Sequence, residues 1–138
     1  MLKAKDIMNT DVVSVKKDSS IFEAVKLLVE HDISGLPVVE DDLTLAGILS
    51  EKDVVDLFYE SEKAENKTVN DYMTDPAVHF EENSDLVNIC DFLLKNIFRR
   101  VPVTSDGKLI GIISVKDVLN TVLQLRQEKV SITELIEE

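Results

Sequence analysis

The chain has 138 residues, of which 44% are apolar and 30% are charged, a composition typical of a globular domain that excludes a disordered or fibrous protein. No apolar run reaches the roughly 20 residues of a membrane-spanning helix, and the net charge of -12 disfavours binding to nucleic acid or to an anionic membrane. The single cysteine, Cys90, excludes an internal disulfide, and no apolar stretch follows Met1, so we expect a cytoplasmic protein without a secretory signal.

The chain begins with the pattern of a short strand followed by an amphipathic helix. Residues 12–15 are largely β-branched and predict a strand. A capping box at Ser20 then opens a helix, and Gly35 ends the helical pattern. The apolar face of this predicted helix consists of five residues at helical spacing, Ile21, Ala24, Val25, Leu28 and Val29.

Two strands and a second helix follow. Residues 36–39 predict a strand whose proline lies at its start, where the missing N–H does least harm. Residues 40–42 predict a turn, and residues 45–49 predict the next strand. Ser50 then opens a helix whose apolar residues are Val54, Val55, Leu57 and Phe58.

The second half of the chain repeats this order. Residues 5–10 align with residues 70–75, and residues 47–54 align with residues 111–118. Scarce residue types fall on matched positions, namely Pro37 with Pro102 and Gly47 with Gly111. Chance does not readily align scarce residues in this way, so the chain contains an internal duplication.

The second copy has a tighter hairpin turn at residues 105–108, where an Asp-Gly pair favours positive φ angles. Residues 60–67 are polar and indicate a helix end and a linker, residues 118–129 continue as helix, and residues 131–134 favour one further capped turn. The predicted organisation is a first motif at 1–62, a linker at 63–67, a second motif at 68–128 and a C-terminal tail at 129–138.

Each copy is too small to bury its own apolar faces. We therefore predict an α/β (α+β) fold in which two β-α-β-β-α motifs pack through their sheets with pseudo-two-fold symmetry. The second helix of each motif keeps apolar residues partly uncovered, such as Phe58 and Leu119, and exposed apolar patches usually mark interfaces. We expect a homodimer.

The repeated motifs resemble a known domain family. The ranges 6–8, 33–39 and 47–53 resemble one cystathionine-β-synthase (CBS) domain, and the ranges 71–74, 99–103 and 111–117 resemble a second. This resemblance implies a disk-like pair whose clefts between the motifs hold AMP, ADP, ATP, S-adenosylmethionine or a related adenosyl ligand. It also implies regulation of a partner, an enzyme or a transporter in trans.

The pattern Ser-x-x-Asp occurs once in each copy, and two interpretations of it stay open. As a capping box, the serine and the aspartate satisfy the amides at a helix N-terminus. As a ligand site, which the resemblance implies, Asp53 and Asp117 accept hydrogen bonds from ribose hydroxyls. Ser50 and Ser114 then face a phosphate.

The resemblance also implies a base pocket, and the sequence itself contains cations that could bind a phosphate. The pocket walls would be Val12, Val13, Ile33, Gly35, Leu36, Pro37, Ala77, Val78, Phe98, Val101 and Pro102. For most of these residues, packing in the core is the stronger interpretation. Arg99 and Arg100 would hold phosphates with help from Lys52 and Lys116, whereas the alternative is a solvated surface pair. Gly35 replaces Arg100 in the first copy, so the two clefts are unlike.

No motif indicates catalysis. Phosphate loops, dinucleotide fingerprints and nucleophile elbows are missing from the sequence, and His31 and His79 lack partners at metal-ligand spacing. His31 suits a helix C-terminus, and Cys90 suits the inner face of a helix. We therefore expect a non-enzymatic ligand sensor without a required cofactor or metal. The alternatives are a structural dimerisation module with empty clefts and an enzyme with an unrecognised site.

Overall fold

The computed structural model describes residues 1–129, 131, 133 and 136, and the chain divides into two compact units. The first unit is Val13–Ala77, and the second combines Met1–Val12 with Val78–Glu138. Residues 1–12, which belong to the first motif in the sequence, therefore lie in the second unit. The predicted motif boundaries at 1–62 and 68–128 stay a prediction about the sequence repeat. The further turn predicted at residues 131–134 includes residues 132 and 134, which lie outside the described residues.

The helices and strands follow the predicted order in each copy, with a short additional helix before each. In chain order they are α1 (Ala4–Ile7), β1 (Val15–Lys16), α2 (Ile21–Glu30), β2 (Gly35–Val39), β3 (Leu45–Ser50), α3 (Glu51–Val54), α4 (Leu57–Glu60), a 3-10 turn (Val69–Asp71), β4 (Phe80–Glu81), α5 (Leu86–Lys95), β5 (Arg100–Ser105), β6 (Lys108–Ser114) and α6 (Val115–Gln127). The predicted α+β class is confirmed.

The first unit contains a three-stranded sheet in the order β1-β2-β3, with β1 parallel and β3 antiparallel to β2. Ser20 caps α2, because its Oγ accepts a hydrogen bond from Phe22 N at 3.2 Å. Helix α2 packs on the core of this unit through residues that share one face, and the core includes Ile21, Ala24, Leu28, Leu36, Val38 and Leu49.

The second unit repeats this sheet in the order β4-β5-β6 with the same strand directions. Its core includes Ala4, Leu86, Ile89, Val101, Val103 and Ile113. The predicted hairpin turn is confirmed, since Asp106 and Gly107 have φ angles of 51° and 78° between β5 and β6. Two residues with positive φ suit a tight two-residue connection whose twist matches that of the strands.

Several predicted boundaries were wrong in detail. Residues 12–14 are not in a strand, because β1 pairs with β2 only from Val15 onward and the preceding position would face Pro37, which has no N–H. That proline is the third residue of β2 and not at its start. Val29, placed on the apolar face of α2, is 73% exposed, because the face that contacts the core is narrower than the apolar stripe of the sequence.

The helix predicted to run from Ser50 through Phe58 is two helices, α3 and α4, separated by a turn at Val55 and Asp56. Consecutive β-branched valines followed by an aspartate have low helix propensity. Val54 and Leu57 are buried, whereas Val55 is 65% exposed and Phe58 is 84% exposed. Only half of the predicted apolar face therefore contacts the core.

A methionine from the segment before each motif packs on a glycine of a sheet. In the second unit, Met8 lies against Gly111, where an added Cβ would be 2.5 Å from the Met8 sulfur. In the first unit, Met73 lies against Gly47, where an added Cβ would be 2.9 Å from the Met73 sulfur. Backbone bridges flank both contacts, Asn9 with Ile112 and Thr74 with Ile48. The two glycines match in the sequence repeat because both allow this close approach.

Candidate functional site

Ser114 and Asp117 form a capping box at the start of α6. The Ser114 backbone N–H donates to Asp117 Oδ2 at 2.8 Å, and the Ser114 hydroxyl donates to the same oxygen at 2.9 Å. Asp117 N–H donates back to Ser114 Oγ at 3.1 Å. The capping interpretation of this motif is confirmed, and both side chains are only half-buried. These hydrogen bonds therefore hold the serine and aspartate side chains in place without a ligand.

The first copy has the corresponding box at Ser50 and Asp53, and there the serine side chain makes no capping hydrogen bond. The Ser50 N–H donates to Asp53 Oδ2 at 2.8 Å at the start of α3, which is only four residues long. Within residues 1–129, the second carboxylate oxygen of Asp53, and likewise that of Asp117, has no hydrogen-bond partner. The fold thus uses one oxygen of each carboxylate and leaves Oδ1 as an acceptor.

The bond from a backbone N–H to the aspartate three residues later occurs at two further places that sequence reasoning missed. Asp6 Oδ2 accepts from Lys3 N at 2.7 Å before α1, and Asp71 Oδ2 accepts from Thr68 N at 2.8 Å before the 3-10 turn. The signal was present in the sequence as a polar residue three positions before each aspartate. Because four aspartates share this geometry, capping by itself does not identify a ligand site.

Arg100 distinguishes the box of the second unit from the others. Arg100 begins β5 and pairs directly with Ser114 in β6. The Arg99 carbonyl accepts a hydrogen bond from Val115 N at 2.9 Å, so both arginines adjoin the start of α6. Arg99 is exposed, whereas Arg100 is half-buried, and its Nε is buried without a hydrogen-bond partner among the described residues. Four predicted site residues, Arg99, Arg100, Ser114 and Asp117, are therefore brought to one corner of the second unit.

The equivalent corner of the first unit has no cation at the matched strand position. Gly35 pairs with Ser50, and the Ser34 carbonyl accepts from Glu51 N at 2.9 Å. Lys52 and Lys116, which follow the two serines by two residues, are both exposed. The two corners share their backbone geometry and differ in charge.

The predicted walls of the base pocket fall into three groups by burial. Four are fully buried core residues, namely Leu36, Pro37, Val101 and Pro102, so only their backbone groups can face a ligand. Five are half-buried, namely Val12, Val13, Ile33, Gly35 and Ala77. Val78 and Phe98 are exposed, and the Phe98 ring stacks on Phe92 at a centroid distance of 5.7 Å. The pairs 12–13 and 77–78 lie where the chain passes from one compact unit to the other.

A surface cavity of about 350 Å³ lies in the first unit, and none of the residues that line it is a predicted site residue. It is lined by Lys17, Asp18, Val39, Glu40, Asp41 and Asp42. Lys17 Nζ lies 2.7 Å from Glu40 Oε1, and this hydrogen bond and charge pairing raise the pKa of Lys17. With four carboxylates and one ammonium group, the cavity disfavours a phosphate.

The remaining candidate residues have structural positions. His31 is the C-cap residue of α2, as its predicted role at a helix C-terminus requires. Cys90 is half-buried in α5, where burial, and secondarily the Asp91 carboxylate, raises the pKa of its thiol. Among the described residues, no group of three or more His, Cys, Asp or Glu side chains is arranged to hold a metal ion. In the same part of the chain, no helix has the length and apolar character to cross a bilayer.

The sequence and the fold of this chain are similar to those of known proteins. The CBS domain family matches residues 4–60 and again residues 69–124. The chloroplastic CBS domain-containing protein CBSX2 of Arabidopsis thaliana is 33% identical over 83% of this chain, which spans 60% of the CBSX2 length. A 17.7 kDa uncharacterised protein of Acidianus ambivalens is 32% identical over 89% of this chain and 74% of its own.

Two solved structures share the fold with bound adenosyl compounds. The crystal structure of CBSX2 in complex with AMP matches with a TM-score of 0.82 and 34% identity, over 91% of this chain and 99% of that one. The CBS domain pair of protein MJ0100, in complex with 5′-methylthioadenosine and S-adenosyl-L-methionine, matches with a TM-score of 0.73 and 25% identity, over 88% and 96%. The two repeats, the two sheets and the family match over most of the chain agree, and the protein belongs to the CBS domain family as a tandem CBS pair.

Proposed function

We propose that this CBS pair is a regulatory module that binds an adenosyl ligand, of the class of AMP, ADP, ATP or S-adenosylmethionine, and catalyses no reaction itself. The observation that carries the proposal is the duplicated Ser–Asp corner, in which each aspartate has one carboxylate oxygen without a hydrogen-bond partner in the described part of the chain. The bound AMP of CBSX2 and the adenosyl compounds of MJ0100 support the choice of ligand class.

In this proposal the ribose is the part of the ligand that the aspartates recognise. The 2′- and 3′-hydroxyls donate to Oδ1 of Asp53 or Asp117, while Oδ2 keeps the capping bond to the serine N–H. The rigid cap holds the carboxylate in one orientation, so little side-chain freedom is lost on binding. Backbone groups near Leu36 and Val101, whose side chains are in the core, are available to contact the base edge.

A second function is favoured by the exposed apolar helices. Phe58 and Tyr59 of α4 are 84% and 83% exposed, and Leu119 and Leu123 of α6 are 58% and 61% exposed. Apolar side chains clustered on a helix in this way usually mark a protein interface. We propose that they form a homodimer contact, through which ligand binding is transmitted to a regulated enzyme or transporter. If no ligand binds, these exposed surfaces support the alternative function, a purely structural dimerisation module.

Calorimetric titration with AMP tests the ribose role. Asp53→Ala and Asp117→Ala each remove charge-assisted hydrogen bonds worth about 1.5–3 kcal/mol, which corresponds to a loss of roughly 10- to 100-fold in affinity at the affected corner. Asp71→Ala is the matched control, because Asp71 makes the same cap at the same 2.8 Å distance but belongs to no proposed corner. This control should lose stability and keep its affinity for AMP.

A 2′-deoxy ligand separates the ribose role from a cap that merely supports the fold. The wild type should bind 2′-deoxy-AMP more weakly than AMP, and the aspartate variants should show a much smaller difference, since hydroxyl and carboxylate are partners in one interaction. An equal deoxy penalty in the wild type and in both variants would limit Asp53 and Asp117 to capping. If the wild type binds no adenosyl ligand, the ligand-binding function is wrong and the structural dimerisation module is the function that is retained.

A further inference from the structure

We propose that residues 130–138, which follow α6, dock within the same chain on an exposed patch at the end of α5 that combines apolar and cationic side chains. The members of this basic apolar patch are Leu94, Lys95, Ile97, Phe98 and Arg99. The patch and the segment both belong to the second compact unit. The inference goes beyond the proposed function and requires no bound ligand.

The patch exposes apolar side chains that do not contribute to the core. Leu94 and Ile97 are each 84% exposed, and Phe98 is 45% exposed although its ring stacks on Phe92. Helix α5 already contacts the core through its buried residues. Because residues 94–99 are all exposed, their apolar side chains form a contiguous surface. Such a surface usually marks a place that another segment or protein covers.

The sequence repeat provides an internal control for the patch. In the first unit the six matched residues end α2 and precede a strand with the same pairing. Val29 is the one exposed large apolar residue among these six. Glu30 occupies the position of Lys95, and Asp32 occupies the position of Ile97. The same architecture therefore forms with an acidic and less apolar segment, so the fold itself does not require the patch.

The charge of the patch selects an acidic partner. Lys95 and Arg99 are exposed, and neither side chain forms an ion pair within the described part of the chain. Residues 130–138 have the complementary composition, with three carboxylates and no lysine or arginine. The segment also contains four large apolar residues, namely Val130, Ile132, Leu135 and Ile136. Opposite charge and apolar content together match this segment to the patch.

The position of α6 brings the segment within reach of the patch. Helix α6 begins beside the patch, since Val115 N donates to the Arg99 carbonyl at 2.9 Å. Its 13 residues extend for about 20 Å, and Lys129 beyond its end has a φ of 59°, the left-handed conformation in which a chain commonly leaves a helix. Nine extended residues span up to about 30 Å. The end of the segment, including Ile136, can therefore return to the level of the patch.

A segment of the same chain is favoured over a separate acidic protein. The net charge of -12 repels an acidic partner that approaches from solution. A short connection instead presents the segment to the patch at an effective concentration of about millimolar. Ile136 is 48% exposed, so its side chain is available for burial on the patch.

The test is disulfide formation in the full chain between Leu94→Cys and Ile136→Cys, with Cys90→Ser to remove the native thiol and oxidised glutathione as the oxidant. Val29→Cys with Ile136→Cys is the matched control, because Val29 is 73% exposed and occupies the position equivalent to Leu94. We expect the Leu94 pair to form a disulfide within one chain at least about tenfold faster than the control pair. The product is a 15.5 kDa species without free thiols in mass spectrometry.

A charge variant tests why this segment is the occupant. Lys95→Glu should slow disulfide formation of the Leu94 pair by about two- to fivefold, the effect of an exposed ion pair. Lys63→Glu changes an exposed lysine outside the patch and should leave the rate unchanged. A rate that is insensitive to Lys95→Glu, or equally sensitive to both variants, would overturn the choice of an acidic segment.

Two further outcomes would overturn docking within the chain. One is an equal rate for the Leu94 pair and the Val29 pair. The other is a product of twice the monomer mass, which would place the segment of a second copy on the patch. If circular dichroism shows that Leu94→Cys does not fold, Ile97→Cys with Ile136→Cys takes its place, with Asp32→Cys as the matched control position. The same rate difference is then expected, and its absence has the same meaning.

Discussion

Replacing Gly47 by alanine should destabilise the protein more than the same change at Gly111. At Gly47 the new Cβ would lie 2.7 Å from the Thr74 carbonyl oxygen as well as 2.9 Å from the Met73 sulfur. That carbonyl accepts a hydrogen bond from Ile48 N at 2.9 Å, so it must move and weaken a backbone bridge. At Gly111 the three nearest atoms all belong to the Met8 side chain.

The loss in the free energy of unfolding depends on which atoms must move to accommodate the new Cβ. Overpacking costs about 1–3 kcal/mol, and a weakened backbone hydrogen bond adds about 0.5–1.5 kcal/mol. Gly47→Ala should therefore cost about 2–4 kcal/mol of the free energy of unfolding. Gly111→Ala should cost about 1–2 kcal/mol, the lower part of the overpacking range, because another Met8 rotamer relieves the contacts of the sulfur and Cγ but leaves the Cβ contact of 3.1 Å.

Urea denaturation followed by circular dichroism measures both values, and a double-mutant cycle tests their cause. Truncating Met8 to alanine should offset much of the Gly111→Ala cost, whereas truncating Met73 should offset little of the Gly47→Ala cost. Equal costs at the two glycines, or equal coupling in the two cycles, would refute the assignment of the Gly47 clash to backbone.

Three further outcomes are expected. Asp71→Ala should lower the free energy of unfolding by about 1 kcal/mol, because it removes the 2.8 Å capping bond from Thr68 N; an unchanged melting temperature would contradict this. Leu119→Glu combined with Leu123→Glu should convert the proposed dimer to a 15.5 kDa species in light scattering, and persistence of a larger species would exclude α6 from the contact. Iodoacetamide should alkylate Cys90 more slowly than free cysteine at pH 8, since the raised pKa of its thiol reduces the thiolate fraction; an equal rate would show a solvated thiol.

Several local features of the fold could be predicted from the sequence. The Asp106-Gly107 turn and the serine cap of α2 depend on neighbouring residues, and both were predicted. The exposure of Val29 and of Val55 depends on how wide a helix face the core can accept. That width is set by residues distant in the chain, so periodicity alone overestimated both apolar faces.

The candidate site likewise combines local features, which could be predicted from the sequence, with tertiary features, which could not. The capping geometry at Asp53 and Asp117 was readable from the spacing of serine and aspartate. The pairing of Arg100 with Ser114 and the buried state of its Nε arise from strand register and tertiary burial, which the spacing of residues does not specify. The burial of Leu36 and Val101 in the core also depends on tertiary packing. Because their side chains are buried, only their backbone groups can line the predicted base pocket.

The packing of Met8 on Gly111 and of Met73 on Gly47 predicts how a protein fragment with only one repeat would assemble. A fragment holding only the first repeat would carry an arm, residues 1–12, whose partner sheet is missing, and a sheet whose covering arm is missing. Since the two arms match in sequence and use equivalent glycines, the arm of one fragment fits the sheet of another. Such a fragment is expected to pair by domain swapping, with each copy closing the other. The compact unit of the structure is thus offset along the chain from the repeated unit of the sequence.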